Sequence, residues 1–357
     1  MSGAPIKFGV LHDAPRIDPR NPALRAMTLR VEECNAAGGI EGRQVELVFH
    51  AGNGAHDGLP ENCAAGWRHL AAMPEVVGIL GPGITDNVLA VGDAVEAGRV
   101  ATIQWSGDER ARGEWLFHFQ AGSLQEEGPY LARLMKRLGH RTVGVLQTGG
   151  PVGDGFYGGF EQSARDLGLE IVSRQFAHVH ATDVRPEMER LRRASPDCVV
   201  FLGMAEPTIA FGRAIKAMGW KVPRYSNIAM LAVARDPKDA ADNEGIIWTD
   251  QYDPRNETLQ RVRAAFTKRY GEPPPETFTA SFGYDMMTLM LEGLRLAPSM
   301  TRSGLKTGLE RVKQLPCATG GRNPIMGFAP WDRAAIKGPD LLIYRTVRNG
   351  KCVTFEG

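Results

Sequence analysis

Residues Gly153-Asp154-Gly155-Phe156-Tyr157-Gly158 spell G-x-G-x-x-G between an apolar run and a helical pattern. Glycines in that order allow a backbone to approach a pyrophosphate at a helix N-terminus, which is the chemistry of a dinucleotide site. Two requirements of that chemistry fail. The first glycine should follow the strand directly, yet "TVGVLQ" ends at Gln147 and "TGGPV" intervenes. An acid should close the next strand to hold a ribose, yet "EIVSRQF" carries only Glu170 at its start and runs on into "AHVHATD". A chain with 42 glycines produces the motif by chance. The glycines are expected instead to shape a hinge-side loop entering a helix, bringing Val152, Phe156 and Tyr157 to a cleft edge.

Other reactive groups point no more firmly to catalysis. There is no G-x-S-x-G elbow, H-E-x-x-H, G-x-x-x-x-G-K-[ST] or S-x-x-K set with supporting context, so no enzyme is expected. Cys34, Cys63, Cys198, Cys317 and Cys352 show no C-x-x-C spacing, which argues against zinc and iron-sulfur clusters and for buried, inert thiols. His178 and His180 stand two apart on an expected surface loop, where solvated histidines are commoner than metal ligands. No cofactor and no metal are expected.

The elements that carry these residues alternate. Strands "IKFGVLHD", "QVELVFHA", "VVGILGP" and "VATIQW" are separated by helices "NPALRAMTLRVEECNAAGG", "LPENCAAGWRHLAAM" and "DNVLAVGDAVEAG". The rhythm restarts after residue 120 with helix "PYLARLMKRLG", then strands "TVGVLQ", "EIVSRQF", "CVVFLG" and "RYSNIAM" with helices between. Such alternation predicts βαβ units and parallel sheets covered on both faces. The fold class is therefore α/β, with two doubly wound lobes: an N-terminal lobe over 1–120, a C-terminal lobe over 121–250, and 251–357 completing both. A long helix in "ETFTASFGYDMMTLMLEGLRLA" and a hairpin in "DLLIYRTVRNGKCVTFEG" close the chain.

At 357 residues, 43% hydrophobic and 23% charged, with a net charge of +1, the chain reads as a soluble two-domain protein. No cluster of basic residues predicts a nucleic-acid partner, and no apolar run predicts membrane insertion. The start "MSGAPIKFGV" shows no secretory signal, so either an export signal was removed or the protein is cytoplasmic.

Five stretches, in order, resemble the type I periplasmic solute-binding proteins of ABC transporters, the leucine/isoleucine/valine-binding group. "VEECNAAGGIEGRQVELV" is similar to the signature N-x-x-G-G-I-x-G-[RK]-x-[VIL]-x-[LI] that follows that family's first helix. "VVGILGPGITDNVLAV" resembles its third strand and ligand-binding turn, and the glycines at 153–158 resemble its Y-G-x-G segment. "MAEPTIAFGRAIKAMGWKVP" and "NPIMGFAPWDRAAIKGPDLLIYRTVRNGK" resemble a second-lobe helix and the closing segment.

The resemblance implies two lobes joined by a hinge, a small-molecule ligand held by loops at the carboxyl ends of strands, and a membrane permease that reads the closed form. It carries the ligand to Thr85, Asp86 and Asn87, where free helix N–H groups favour a carboxylate and Thr85 and Asp86 are also expected to cap the helix. It carries it to Trp105, Ser106 and Gly107, to Phe156 and Tyr157, to Met204 and Glu206, and to Asn227 and Met230. His12, Asp13 and Arg16 after the first strand, and Tyr252 and Phe282 as cleft walls, are further candidates. The family's amino-acid receptors hold an α-ammonium with an acid close to where this chain reads Asn227-Ile228-Ala229-Met230, and no acid stands in that stretch. Glu206 is the substitute, and an apolar or aromatic acid is favoured over an α-amino acid. A cytoplasmic ligand sensor of the amide-responsive type, which shares the fold, is the alternative.

Overall fold

The computed structural model describes residues 3–55, 57–120 and 124–357. The chain forms two compact lobes and passes between them near residues 121, 251 and 341. The first lobe begins β1 (Ile6–His12), α1 (Pro22–Ala36), β2 (Val45–Ala51), α2 (Pro60–Ala71), β3 (Val76–Leu80), α3 (Thr85–Gly98), β4 (Thr102–Gln104) and β5 (Leu116–His118). All five strands run parallel in the order β2-β1-β3-β4-β5. Helix α1 shows why the pattern was readable. Asn21 accepts from the N–H groups of Ala23 and Leu24, Pro22 takes the first position, and Gly38 and Gly39 adopt positive φ just beyond the end.

The second lobe carries α4 (Leu124–Arg137), β6 (Thr142–Thr148), α5 (Pro151–Asp166), β7 (Glu170–Ala177), α6 (Arg185–Arg193), β8 (Cys198–Leu202), α7 (Pro207–Ala217), β9 (Arg224–Ser226), a 3-10 stretch (Ile228–Arg235), α8 (Pro237–Asp242) and β10 (Ile247–Asp250). Helices α9 (Glu257–Tyr270), α10 (Thr279–Arg295) and α11 (Arg302–Leu309), with the short strands β11 (Leu315–Pro316), β12 (Ile325–Met326) and β13 (Ile336–Lys337), belong to the first lobe. The hairpin β14 (Ile343–Arg348) and β15 (Lys351–Thr354) returns to the second lobe and pairs antiparallel with β10. The second sheet thus runs β15-β14-β10-β9-β8-β6-β7, and its parallel part repeats the strand order of the first sheet.

Three sequence expectations change. Helix α4 starts at Leu124 rather than at Pro129, which lies inside it. Strand β9 ends at Ser226, and Ile228 onward is 3-10 helix. Helix α5 starts at Pro151, so Gly153, Gly155 and Gly158 are helical and form no hinge-side loop. A Cβ on Gly153 would collide with the Thr148 carbonyl oxygen, and one on Gly155 would lie 2.9 Å from Leu124. The glycines let α5 pack closely on β6 and α4.

Candidate functional site

A 2-1-3-4-5 sheet reverses its winding between β1 and β3, and that switch point is where open α/β sheets place ligands. Asp13 follows β1 there. Its Oδ2 accepts from Gly83 N–H at 3.0 Å, and its Oδ1 accepts from Ile84 N–H at 3.1 Å and from Asn87 Nδ2 at 2.7 Å. The positive end of α3 is therefore already met by a carboxylate of the chain itself. This corrects the expectations for the helix start. The N-cap position is Ile84, which has no side chain able to cap, and neither Thr85 nor Asp86 supplies the bond. Asn87 is fully buried, holding Asp13 and the backbone of Ala55.

Trp105 follows β4 and is half-buried. Its indole lies across Gly83, where any Cβ would collide with it, and it stacks on Phe282 at 5.5 Å with an interplanar angle of 28°. Beside it Ser106 donates its N–H to Gln104 Oε1, while its hydroxyl is buried with no hydrogen-bond partner. Gly107 is half-buried next to it. Trp105 and Phe282 thus offer an aromatic plane, and the residue that follows Trp105 carries an unsatisfied buried hydroxyl.

Behind this wall, His118 is buried between Arg112, whose Nε donates to Nδ1 at 2.9 Å, and the Ser106 carbonyl, which meets Nε2 at 2.6 Å. Nδ1 accepts, so Nε2 carries the proton and the ring is neutral. Burial, helped by the Arg112 charge, pushes this histidine down to about 3. Its folded value lies below the unfolded one, so its contribution to stability is present above about pH 6.5 and is lost as pH falls toward 3. The first lobe is expected to lose stability across that window, and His118→Gln to flatten the slope of melting temperature against pH. An unchanged slope would remove His118 as the cause.

In the second lobe the same winding places the switch point between β6 and β8. Thr148 and Gly203 meet there, and a Cβ on Gly203 would collide with the Thr148 hydroxyl. Met204 follows, 44% exposed. Glu206 is exposed and lies 3.5 Å from His180, a pair that is ionic only when the histidine is protonated. Asn227 is buried and donates from Nδ2 to the Gly203 carbonyl at 2.9 Å, locking the ends of β8 and β9 together.

Phe156, Tyr157 and Met230 do not stand at a ligand surface. Phe156 is 1% exposed and packs with Leu124, Leu131 and Phe160 in the lobe core, where burying a ring contributes about 2–3 kcal/mol. Tyr157 donates to Glu161 at 3.0 Å and lies under the Arg174 guanidinium at 3.5 Å. Met230 is fully buried in a second cluster of the same lobe with Phe201, Phe211 and Trp248. The early start of α5 turns its aromatic positions inward.

The residue that sequence reasoning missed is Glu127. It lies in the first turn of α4, and its Oε2 accepts from Ile228 N–H at 2.6 Å and from the Thr249 hydroxyl at 2.5 Å. An acid therefore does stand against the 227–230 stretch, arriving from another element. Its Oε1 is buried with no hydrogen-bond partner. Burial pushes the carboxyl up to about 8, with Asp250 and Glu126 adding to the effect.

Of the remaining candidates, His12 is held by Ala14 N–H and Asn21, Arg16 is exposed, and Tyr252 is buried with Leu259 and Val262. Cys34, Cys63, Cys198 and Cys317 are buried, and burial pushes the Cys63 and Cys198 thiols up to about 12. Among the described residues, no three His, Cys, Asp or Glu side chains gather to hold a metal ion, and no helix is long and apolar enough to cross a membrane.

The family model for periplasmic binding proteins matches residues 5–334. The chain belongs to that family. Its fold is that of type I periplasmic binding proteins, and the family is one of solute-binding receptors. The chain is similar to an ABC transporter substrate-binding protein from Desulfitobacterium hafniense, solved in complex with Leu, at 21% identity and a TM-score of 0.82, covering 98% of this chain and 99% of that one. It is similar to a periplasmic binding protein type 1 from Bordetella pertussis Tohama I at 21% identity and a TM-score of 0.79, with coverage of 98% and 99%. An ABC transporter substrate-binding protein from Sphaerobacter thermophilus gives 20% identity and a TM-score of 0.81, with coverage of 98% and 96%. Comparison with curated proteins gives no match. At these identities the solved structures show the fold of this periplasmic binding protein.

Proposed function

We propose that this protein is an extracytoplasmic receptor of an ABC importer, taking up a small organic ligand with the strand-end loops of both lobes. Closure around the ligand is stabilised by contacts that only the closed form makes, and a permease reads that form. The observation that carries the ligand class is the stacked Trp105–Phe282 pair together with the buried, unpartnered Ser106 hydroxyl. An aromatic plane with one polar anchor suits an apolar or aromatic acid. The family supports the receptor over a cytoplasmic sensor, and no feature of the site calls for catalysis.

A thermal-shift screen against aromatic carboxylates, fatty acids, amides, amino acids and sterols tests this reading. A ligand at 100 times its Kd adds about 2.7 kcal/mol of stability, a readily measured rise in melting temperature. Aromatic or apolar acids are expected to produce it. Trp105→Ala is expected to weaken that binding about tenfold, from lost stacking and apolar contact. A rise with α-amino acids alone would refute the ligand class, and no rise with any compound would count against the receptor.

A further inference from the structure

Glu127 is a fully buried acid whose surroundings constrain its charge. Its Oε2 satisfies two donors, Ile228 N–H and the Thr249 hydroxyl, while its Oε1 has none. Among the described residues, no Lys, Arg or His donates to either oxygen. The other ionisable groups that act on it are carboxyls, Glu126 on its own helix and Asp250 beside Thr249 on β10. The nearest cation on the neighbouring strand, Arg345 of β14, lies 3.9 Å from Asp250. A carboxylate in that setting would be a buried charge without a counter-charge. A carboxylic acid fits it: Oε2 serves as the carbonyl oxygen for both donors, and Oε1 carries the hydrogen. That O–H is then a buried donor in need of an acceptor.

The place matters as much as the charge. Ile228 follows Asn227 at the carboxyl end of β9, and Thr249 lies on β10, the next strand of the sheet. This is the edge at which open α/β sheets hold ligands.

We propose that Glu127 is a specificity-determining residue of the ligand site, keeping its proton on Oε1 and donating it to an acceptor oxygen of the ligand, a carbonyl or a carboxylate. The assignment rests on the receptor reading above and sharpens it. It accounts for a buried acid without any ammonium partner, and it makes recognition depend on pH. The protonated form binds, so affinity is expected to fall as pH rises past about 8, where burial places the group.

The test has one arm that needs no ligand. Infrared spectra of the whole chain, with and without Glu127→Gln, are expected to show a neutral-carboxyl C=O component that persists at pH 7, fades by pH 9 and is lost in the variant. It is distinct from the band of buried Asp285, whose carboxyl burial pushes up to about 7 and which both chains keep. Absence of the Glu127 component from the unmodified protein at pH 6.5 would overturn the assignment. The second arm follows thermal shifts with benzoate and with L-leucine at pH 6.5 and pH 9. Glutamine keeps an N–H donor and a carbonyl in the same shape, so E127Q is expected to bind benzoate within about threefold of the unmodified protein and to lose the pH dependence. An L-leucine shift that grows with pH and drops at least tenfold in affinity in E127Q would overturn the proposal in favour of an ammonium partner. A persistent band without a shift from either probe would support the protonated acid and count against the ligand class of the receptor reading. Melting of E127Q without ligand controls for folding.

Discussion

Replacing Asp13 by alanine is expected to destabilise the first lobe by about 3–5 kcal/mol. The change strands three donors at once: Gly83 N–H, Ile84 N–H and the buried Asn87 amide. It also removes the negative charge at the positive end of α3. Each unmet buried donor costs about 1–3 kcal/mol, and the lost helix-terminus charge adds up to about 2. Water reaching Asp13, which is 9% exposed, offsets part of that sum. Asp13→Asn is expected to cost nearly as much, because its amide nitrogen must face one of the same donors. Hydrogen exchange at residues 83–91 is the measurement, since a chain with two lobes need not unfold in one step. Loss of protection there, together with a lower melting temperature, is the expected outcome. A cost below about 1 kcal/mol would mean that α3 does not depend on Asp13.

The second large effect is a change of sign within one helix. Gly158→Ala and Gly159→Ala sit side by side in α5, and helix propensity alone favours alanine at both by about 1 kcal/mol. Nothing lies within 4 Å of a Cβ on Gly158, so that substitution is expected to stabilise by about 0.5–1 kcal/mol. A Cβ on Gly159 would lie 2.5 Å from the Gln125 carbonyl oxygen, so that one is expected to destabilise by about 1–3 kcal/mol. The cause is Pro129. It cannot offer the N–H that a helix would direct at Gln125, and that carbonyl meets Gly159 instead. Gly128 is constrained in the same way, since a Cβ there would collide with the Phe160 backbone. Chemical denaturation of the two α5 variants tests the claim. Equal effects of either sign would refute the close approach of α4 and α5.

Pro129 also explains the largest gap between reading the sequence and seeing the fold. Proline favours the first helical position, so α4 was expected to begin there. Its true first turn, which carries Glu127, read as connecting chain. Glu127 reaches residue 228 across about a hundred positions, and no local pattern records such a contact. The strand and helix alternation was legible because both sheets are buried and their apolar runs continuous. Trp105 and Ser106 entered through the resemblance, which carries the ligand to the end of β4; the structure shows the indole stacked on Phe282 and the Ser106 hydroxyl buried. Phe156 and Tyr157 turn inward because the glycines before them do not break α5: Gly153 lets the helix start against the end of β6 and Gly155 lets it pack on Leu124, while Gly158 faces open space. Asp13 was a candidate ligand contact, but its carboxylate is engaged by Gly83, Ile84 and Asn87 at the start of the chain's own helix.

Neither lobe is a continuous piece of chain. In the first, α1 packs on α10, and Gly283 admits Ala23 so closely that a Cβ would collide with its carbonyl oxygen. In the second, β10 gains its outer partner only when β14, beginning at Ile343, is available. The first lobe therefore cannot be completed until residues up to 341 have been made, nor the second until β14 follows. Chain order thus makes completion of each lobe depend on its C-terminal segment. For a protein proposed to act outside the cytoplasm, that order keeps both lobes incomplete while most of their residues are being made.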